Sequence, residues 1–327
     1  MNGINFPDPA VIRVADGWHA FATNARYNGN LMHVQMAHSP DFNTWAYRAG
    51  VDGMPQLASW IDPDSPRVWA PDVVQLADGT FMMYYTAAWK RKPNIHCVSY
   101  ATSRNVDGPY TDPNRDSPWI CPDAQGGAID PAGYLNSDGT RWVVYKIRGN
   151  SLGHGGACGN TVGPIMSTPL MLQQVSSADG HIKIGSPVEL VTNGVGDGPV
   201  VEAPSLTYLN GKYVLFFSSN CFASLFYDVS YAIASDIRGP YRKAGPLFVT
   251  GDMGMAAPGG LDIAVNGNHA LWHGYVTHEA PEECIAKHRR FGKNSTDECV
   301  RNFNTGRAAF TGILSLDGNV VSVSHVS

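Results

Sequence analysis

Three acidic residues recur at one position of an internal repeat, which is where chemistry first shows in this chain. Five turn dipeptides, Asp16-Gly17, Asp78-Gly79, Asp138-Gly139, Asn210-Gly211 and Asn266-Gly267, are each followed by an apolar or aromatic run. Counting back eight residues from each gives Asp8, Ala70, Asp130, Glu202 and Pro258. Proline follows directly in three of these (Pro9, Pro71, Pro131) and one place later in the fourth (Pro204), as expected where a strand begins and a missing N–H is tolerated. Carboxyl groups held together in a partly dry pocket shift one another's proton affinity, so that one stays ionised while another keeps its proton near neutral pH. Glycoside hydrolysis needs that division: an acid protonates the leaving oxygen while a carboxylate activates water or attacks the sugar. A single Asp-Pro can simply cap a turn, and an acidic channel can hold a calcium ion through its oxygens. Recurrence in repeat register favours catalysis, with an ion in a secondary role.

The elements that must position these acids are read from the same repeat. Asp-Gly and Asn-Gly tolerate the positive φ of tight hairpins, and runs such as Phe81-Met82-Met83-Tyr84-Tyr85 and Tyr213-Val214-Leu215-Phe216-Phe217 have strand composition. A second element repeats with the same internal spacing: Val98-Ser99-Tyr100-Ala101 leads to Gly108-Pro109-Tyr110, and Val229-Ser230-Tyr231-Ala232 leads to Gly239-Pro240-Tyr241. With no amphipathic helix between them, these units predict an all-β, five-bladed β-propeller, residues 1–327 forming one domain with long loops between strands. A β-sandwich with coincidental turns would leave the second repeat unexplained. Blades direct their first strands at a central channel, so acids at the start of those strands are expected at one mouth.

Composition agrees and excludes other roles. The 327 residues are 43% hydrophobic with 35 Gly and 22 Pro, enough to bury a core and rich in turns. The net charge of -5, without a basic stripe, argues against a nucleic-acid partner. No apolar run approaches the ~18 residues that cross a bilayer, and no charged-then-apolar leader opens the chain, so no membrane partner is expected. Six cysteines (Cys97, Cys121, Cys158, Cys221, Cys284, Cys299) without metal-type spacing, and the sequon Asn294-Ser295-Thr296, point to a secreted, extracellular protein. Reduced, buried thiols in a cytosolic protein are the alternative, and no pairing follows from the sequence.

Four segments, Phe6-Pro7-Asp8-Pro9-Ala10-Val11, Trp69-Ala70-Pro71-Asp72-Val73, Ala128-Ile129-Asp130-Pro131 and Val201-Glu202-Ala203-Pro204-Ser205, resemble glycoside hydrolase family 43, and the likeness runs over nearly the whole chain. The resemblance implies a five-bladed propeller and an inverting mechanism, with Asp8 as general base, Glu202 as general acid and Asp130 as the residue that orients the acid and modulates its pKa. It also implies sugar contacts from Arg307, in Gly306-Arg307-Ala308-Ala309-Phe310, and from Trp69 as an aromatic wall. Asp72 is expected to be structural. One departure is Pro258-Gly259-Gly260-Leu261-Asp262, where many members carry Gly-His with the imidazole near the channel centre. His273 is the candidate to compensate, no metal ligands are assigned, no cofactor is expected to be required, and a channel calcium ion is left in doubt. The inserts at 46–68, 149–169 and 276–305 are expected to wall off the mouth. That predicts an exo-acting α-L-arabinofuranosidase or β-D-xylosidase releasing terminal pentoses from plant cell-wall polysaccharide or oligosaccharide. An endo-1,5-α-L-arabinanase stands as the alternative. A non-catalytic carbohydrate-binding propeller, stacking sugars on Trp18, Trp69 and Trp89, is the rival of another class.

Overall fold

The computed structural model describes residues 4–114, 116–265, 267–276 and 306–325. Among these residues the chain folds into antiparallel strands joined by turns and short 3-10 segments, with no α-helix and so no helix long and apolar enough to cross a membrane. Five radial sheets follow one another along the chain and make a five-bladed β-propeller. Their first strands are Ala10–Val14, Trp69–Gln75, Ala128–Leu135, Val201–Leu209 and Met255–Ile263. Each pairs with the strand that follows it across the predicted turn, as in the Leu209 to Lys212 pair closed by Asn210-Gly211.

Both faces of each blade are covered by neighbouring blades, so strands read as continuous apolar runs rather than alternating ones. Phe81–Trp89 is buried throughout except at Trp89. Separate cores fill the spaces between blades. Phe21, Met83 and Tyr85 join blades 1 and 2, and Leu172, Leu215 and Phe217 join blades 3 and 4. The second repeat is also realised: Tyr110 and Tyr241 each donate a hydroxyl hydrogen bond to the carbonyl four residues earlier, of Val106 and Ile237, at 2.7 and 3.1 Å.

Blade 5 is built entirely from late sequence, so the ring closes through the N-terminal segment. Phe6 N–H donates to the Arg307 carbonyl and Arg307 N–H to Asn5 Oδ1, both at 2.9 Å, and Val11 N–H donates to Asp262 Oδ2 at 2.8 Å. The closure needs Gly306, because a Cβ there would stand 2.2 Å from that of Asn5. Two disulfides, Cys97–Cys121 and Cys158–Cys221, are formed. Cys284, Cys299, the Asn294 sequon, Asn266 and most of the 276–305 insert lie outside the described residues.

The repeat register differs from the one counted from the turns. One residue at the start of each first strand has positive φ, and in four blades proline follows it: Asp8 (51°), Ala70 (42°), Asp130 (55°), Ala203 (50°) and Gly260 (57°). Ala203 and Gly260, rather than Glu202 and Pro258, are therefore the fourth and fifth members of the set. The miscount arises at the turns. Blades 2 and 3 leave five residues between the last paired positions (Gln75 with Phe81, Leu135 with Arg141), whereas blade 4 leaves only Asn210-Gly211, which moves the dipeptide relative to the strand start.

Candidate active site

A positive φ in a non-glycine residue costs on the order of 1–3 kcal/mol and persists only where the surroundings enforce it. Here each of the five N–H groups donates to a side chain. Asp8 donates to His273 Nδ1 (2.9 Å), Ala70 to Thr23 Oγ1 (2.9 Å), Asp130 to Thr86 Oγ1 (3.0 Å), Ala203 to Asp130 Oδ2 (3.0 Å) and Gly260 to Ser218 Oγ (2.9 Å). The kinked starts bring Asp8, Ala70, Asp130 and Ala203 together around the axial channel, with Pro9, Pro71, Pro131 and Pro204 beside them. The channel has a volume of about 40 Å³, room for about three waters. A sugar ring can therefore sit only at its mouth.

Each acid is held differently. Asp8 accepts from the Thr23 hydroxyl at 2.7 Å, and its Oδ1 lies 3.5 Å from Arg307 Nη1. Glu202 is gripped from two sides, by Lys146 Nζ at 2.8 Å on Oε2 and by the Tyr227 hydroxyl at 3.0 Å on Oε1. Burial, and next the negative charge of Glu202, push Asp130 up to about 7. The resemblance had Asp130 acting on the proton of Glu202. In the structure the charge touching Glu202 is the Lys146 ammonium, and Asp130 is the carboxyl that retains a proton near neutrality. The site thus offers an anchored carboxylate pair with one proton between them, facing a third carboxylate across the mouth.

The remaining sequence candidates divide. Arg307 stands beside Asp8, partly exposed, where it can meet a ligand. Trp69 begins blade 2 half-buried, with His96 stacked on it at 4.1 Å between centroids and the Arg148 guanidinium 5.8 Å from its ring, so part of its surface is already occupied. His273 differs from the expectation of a substrate or channel contact. It is fully buried, it accepts the Asp8 N–H, and burial followed by the Arg307 charge holds it well below the usual imidazole range. Gly260, at φ 57°, has the place of the missing histidine, and a Cβ there would lie 2.7 Å from His273 Cε1. Asp72 is structural as expected, its Oδ2 accepting Gly133 N–H at 2.6 Å in the next blade.

Lys146, Tyr227 and Thr23 were not singled out from the sequence. A lysine inside Val143-Val144-Tyr145-Lys146-Ile147, buried at every position, was the available signal, since lysine is almost never fully buried without a partner. Tyr227 has its place because Gly259 carries no side chain: a Cβ there would be 2.0 Å from the ring.

Calcium takes six to eight oxygens, and the deep side chains do not supply a free set. Asp72 is committed to Gly133, Asp262 to Val11 N–H and the Ser205 hydroxyl (2.8 Å each), and Gly260 offers no imidazole.

Comparison with known proteins gives the arrangement a context. The chain is 24% identical over 287 residues to the extracellular endo-alpha-(1->5)-L-arabinanase 1 of Bacillus subtilis, covering 82% of this chain and 79% of that one. It is 25% identical to the probable arabinan endo-1,5-alpha-L-arabinosidase C of Aspergillus flavus, with 82% of each covered. Among solved structures, a thermostable family-43 glycoside hydrolase aligns with a TM-score of 0.73 at 20% identity, covering 99% of this chain and 95% of that one. A family 43 endo-arabinanase from Bacillus licheniformis aligns with a TM-score of 0.68 at 21% identity, covering 98% and 99%. The family model for glycosyl hydrolases family 43 matches residues 3–290, and the chain belongs to that family.

Proposed function

We propose that the protein is an inverting endo-1,5-α-L-arabinanase that cleaves arabinan outside the cell. The observation that carries the reading is the trio at the channel mouth, in which Glu202 is fixed by Lys146 and Tyr227 beside protonated Asp130, with Asp8 opposite. In this mechanism Asp8, oriented by Thr23, accepts a proton from water as it attacks the anomeric carbon. Glu202 delivers a proton to the leaving oxygen, and Asp130 positions Glu202 and shares that proton with it. Arg307 steadies the sugar next to Asp8, and Trp69 borders the same mouth, while His273 fixes the Asp8 backbone and stands 3.3 Å from Arg307 Nη1 through its Nε2.

Endo action is favoured over the exo-acting arabinofuranosidase or xylosidase by two observations. The two sequence relatives described above are both named endo enzymes. Blade 2 returns after a two-residue turn, Trp89 pairing with Lys92, so no long loop of its own arches over the mouth on that side. Part of the 46–68 insert is bonded along the tip of blade 2, with Asp62 N–H on the Ala88 carbonyl and Ala88 N–H on that of Pro66. Extracellular action is supported by the two disulfides, which persist in oxidising compartments, and by the word extracellular in the name of the Bacillus subtilis relative.

The test is hydrolysis of linear arabinan followed by viscosity and by released reducing ends, for wild type, Asp8→Asn and Glu202→Gln. A fall in viscosity well ahead of monosaccharide release, lost in both variants, is expected. Arabinose or xylose released without loss of viscosity returns the exo reading. Binding without turnover in wild type leaves a carbohydrate-binding propeller.

A further inference from the structure

At the end of blade 1 opposite the carboxylate trio, a turn and two strands gather three groups that ligate transition metals. Asp16 lies in the turn between Ala10–Val14 and Gly17–Ala22, His19 is on the second of these strands, and His38 faces it across the ladder from Gln35–Ser39. Asp16 Oδ1 is 3.1 Å from His19 Nε2, the two imidazole centroids are 4.8 Å apart, and one donor atom from each residue lies within 4.8 Å of the others.

The group that orients one of these ligands is already in place. His19 is buried, with its Nδ1 2.8 Å from Asp107 Oδ1, and Asp107 is gripped by Arg48 at 2.7 Å. A carboxylate on one imidazole nitrogen fixes the tautomer and leaves the lone pair of the other nitrogen free for a cation, as in carboxylate–histidine–zinc triads. Two imidazoles and one carboxylate suit zinc and its neighbours rather than calcium or magnesium, which prefer all-oxygen shells. Donors 2.0–2.1 Å from a tetrahedral zinc stand about 3.4 Å apart. Reaching that spacing takes rotation of the exposed Asp16 and half-exposed His38 side chains, with the strands unchanged.

We propose that Asp16, His19 and His38 form a binding site for one divalent transition cation of the zinc type, separate from the arabinan site. The ion ties the first hairpin to the third strand of blade 1 and, through His19 and Asp107, to the turn that precedes Gly108-Pro109 in blade 2.

The test is calorimetric titration of Zn²⁺ into the metal-stripped full chain, with Co²⁺ absorption as a second readout. Wild type is expected to take up one cation at this site, with cobalt d–d bands. Both signals are expected to vanish in His38→Ala, and uptake to weaken by about 10–100-fold in Asp107→Asn, which removes only the carboxylate behind His19. Arabinan cleavage should be unchanged in each, which separates this result from the fate of the functional proposal. Asp16→Asn, on an exposed turn, decides the matter if His38→Ala does not fold. No uptake by wild type, or uptake undiminished in the ligand variants, overturns the site.

Discussion

Replacing Asp130 with asparagine should make the protein more stable at pH 8 while stopping turnover. In an unfolded chain this carboxyl titrates near ~3.9. In the fold it keeps its proton to about 7, because burial first and the Glu202 charge second disfavour ionisation. Below the unfolded value both states are protonated and Asp130 contributes nothing. From there to about pH 7 the folded state holds the extra proton, so stability falls as pH rises, and above that range the whole penalty stands. A difference of about three units at about 1.36 kcal/mol each is roughly 4 kcal/mol. Screening at the wet channel mouth reduces it to about 2–4 kcal/mol. Asparagine has no charge to bury, and its Oδ1 can still accept the Ala203 N–H now held at 3.0 Å. Guanidinium unfolding in EDTA, followed by tryptophan fluorescence at pH 4.5 and 8, measures the gap between variant and wild type. It should be small at the lower pH and about 2–4 kcal/mol in favour of the variant at the higher, with arabinan cleavage down by about 10²-fold or more. A gap that does not grow with pH, or a variant weaker than wild type at pH 8, would show that Asp130 is ionised in the fold and stabilising there.

Lys146→Met leaves Glu202 without its buried cation and should destabilise the fold by about 3–5 kcal/mol at pH 8, read from the same unfolding curves. Tyr227→Phe keeps the ring and removes one donor to Glu202; kcat on arabinan should fall by about tenfold, the worth of one hydrogen bond to a charged group, with the unfolding midpoint little changed. Gly259→Ala puts a methyl group 2.0 Å from that ring. It should cost about 1–3 kcal/mol of stability by overpacking and add little further loss of kcat in the Tyr227→Phe background. Reduction opens disulfide loops of 24 and 63 residues, and each should contribute about 3–4 kcal/mol to the difference in unfolding free energy between the oxidised and reduced protein, read from denaturant curves.

The blades and two of the acids were legible in the sequence for a simple reason. Hairpin turns and apolar runs are local, and Asp8-Pro9 and Asp130-Pro131 lie at a fixed distance from their turns. Glu202 was found by a count that misplaced it, since the short Asn210-Gly211 turn moves the dipeptide by one place relative to the strand start. The partners of the acids were not legible. Thr23 reaches Asp8 from 15 residues away, Tyr227 reaches Glu202 from 25 and Lys146 from 56, and such pairings depend on how one blade faces the next. His273 misled because a histidine near a missing histidine suggests replacement, whereas burial made it a backbone acceptor.

A single exchange within the repeat accounts for much of the site. On the second strands, Thr86, Lys146 and Ser218 occupy one register position, pairing with Trp69, Ile129 and Glu202 in turn. Thr86 and Ser218 accept N–H groups from the next blade, those of Asp130 and Gly260. Lysine cannot accept a hydrogen bond, so in blade 3 that duty passes to the Asp130 carboxylate, which takes the Ala203 N–H and is drawn in beside Glu202. The freed ammonium binds Glu202 instead. Replacing an acceptor by a donor in one blade of five therefore both fixes Glu202 and crowds Asp130 against it, and the crowding, with burial, is what keeps a proton on Asp130 near neutral pH. A blade 3 carrying threonine at position 146 would keep the fold's hydrogen bonds yet lose the asymmetry that lets two neighbouring carboxyls do different work.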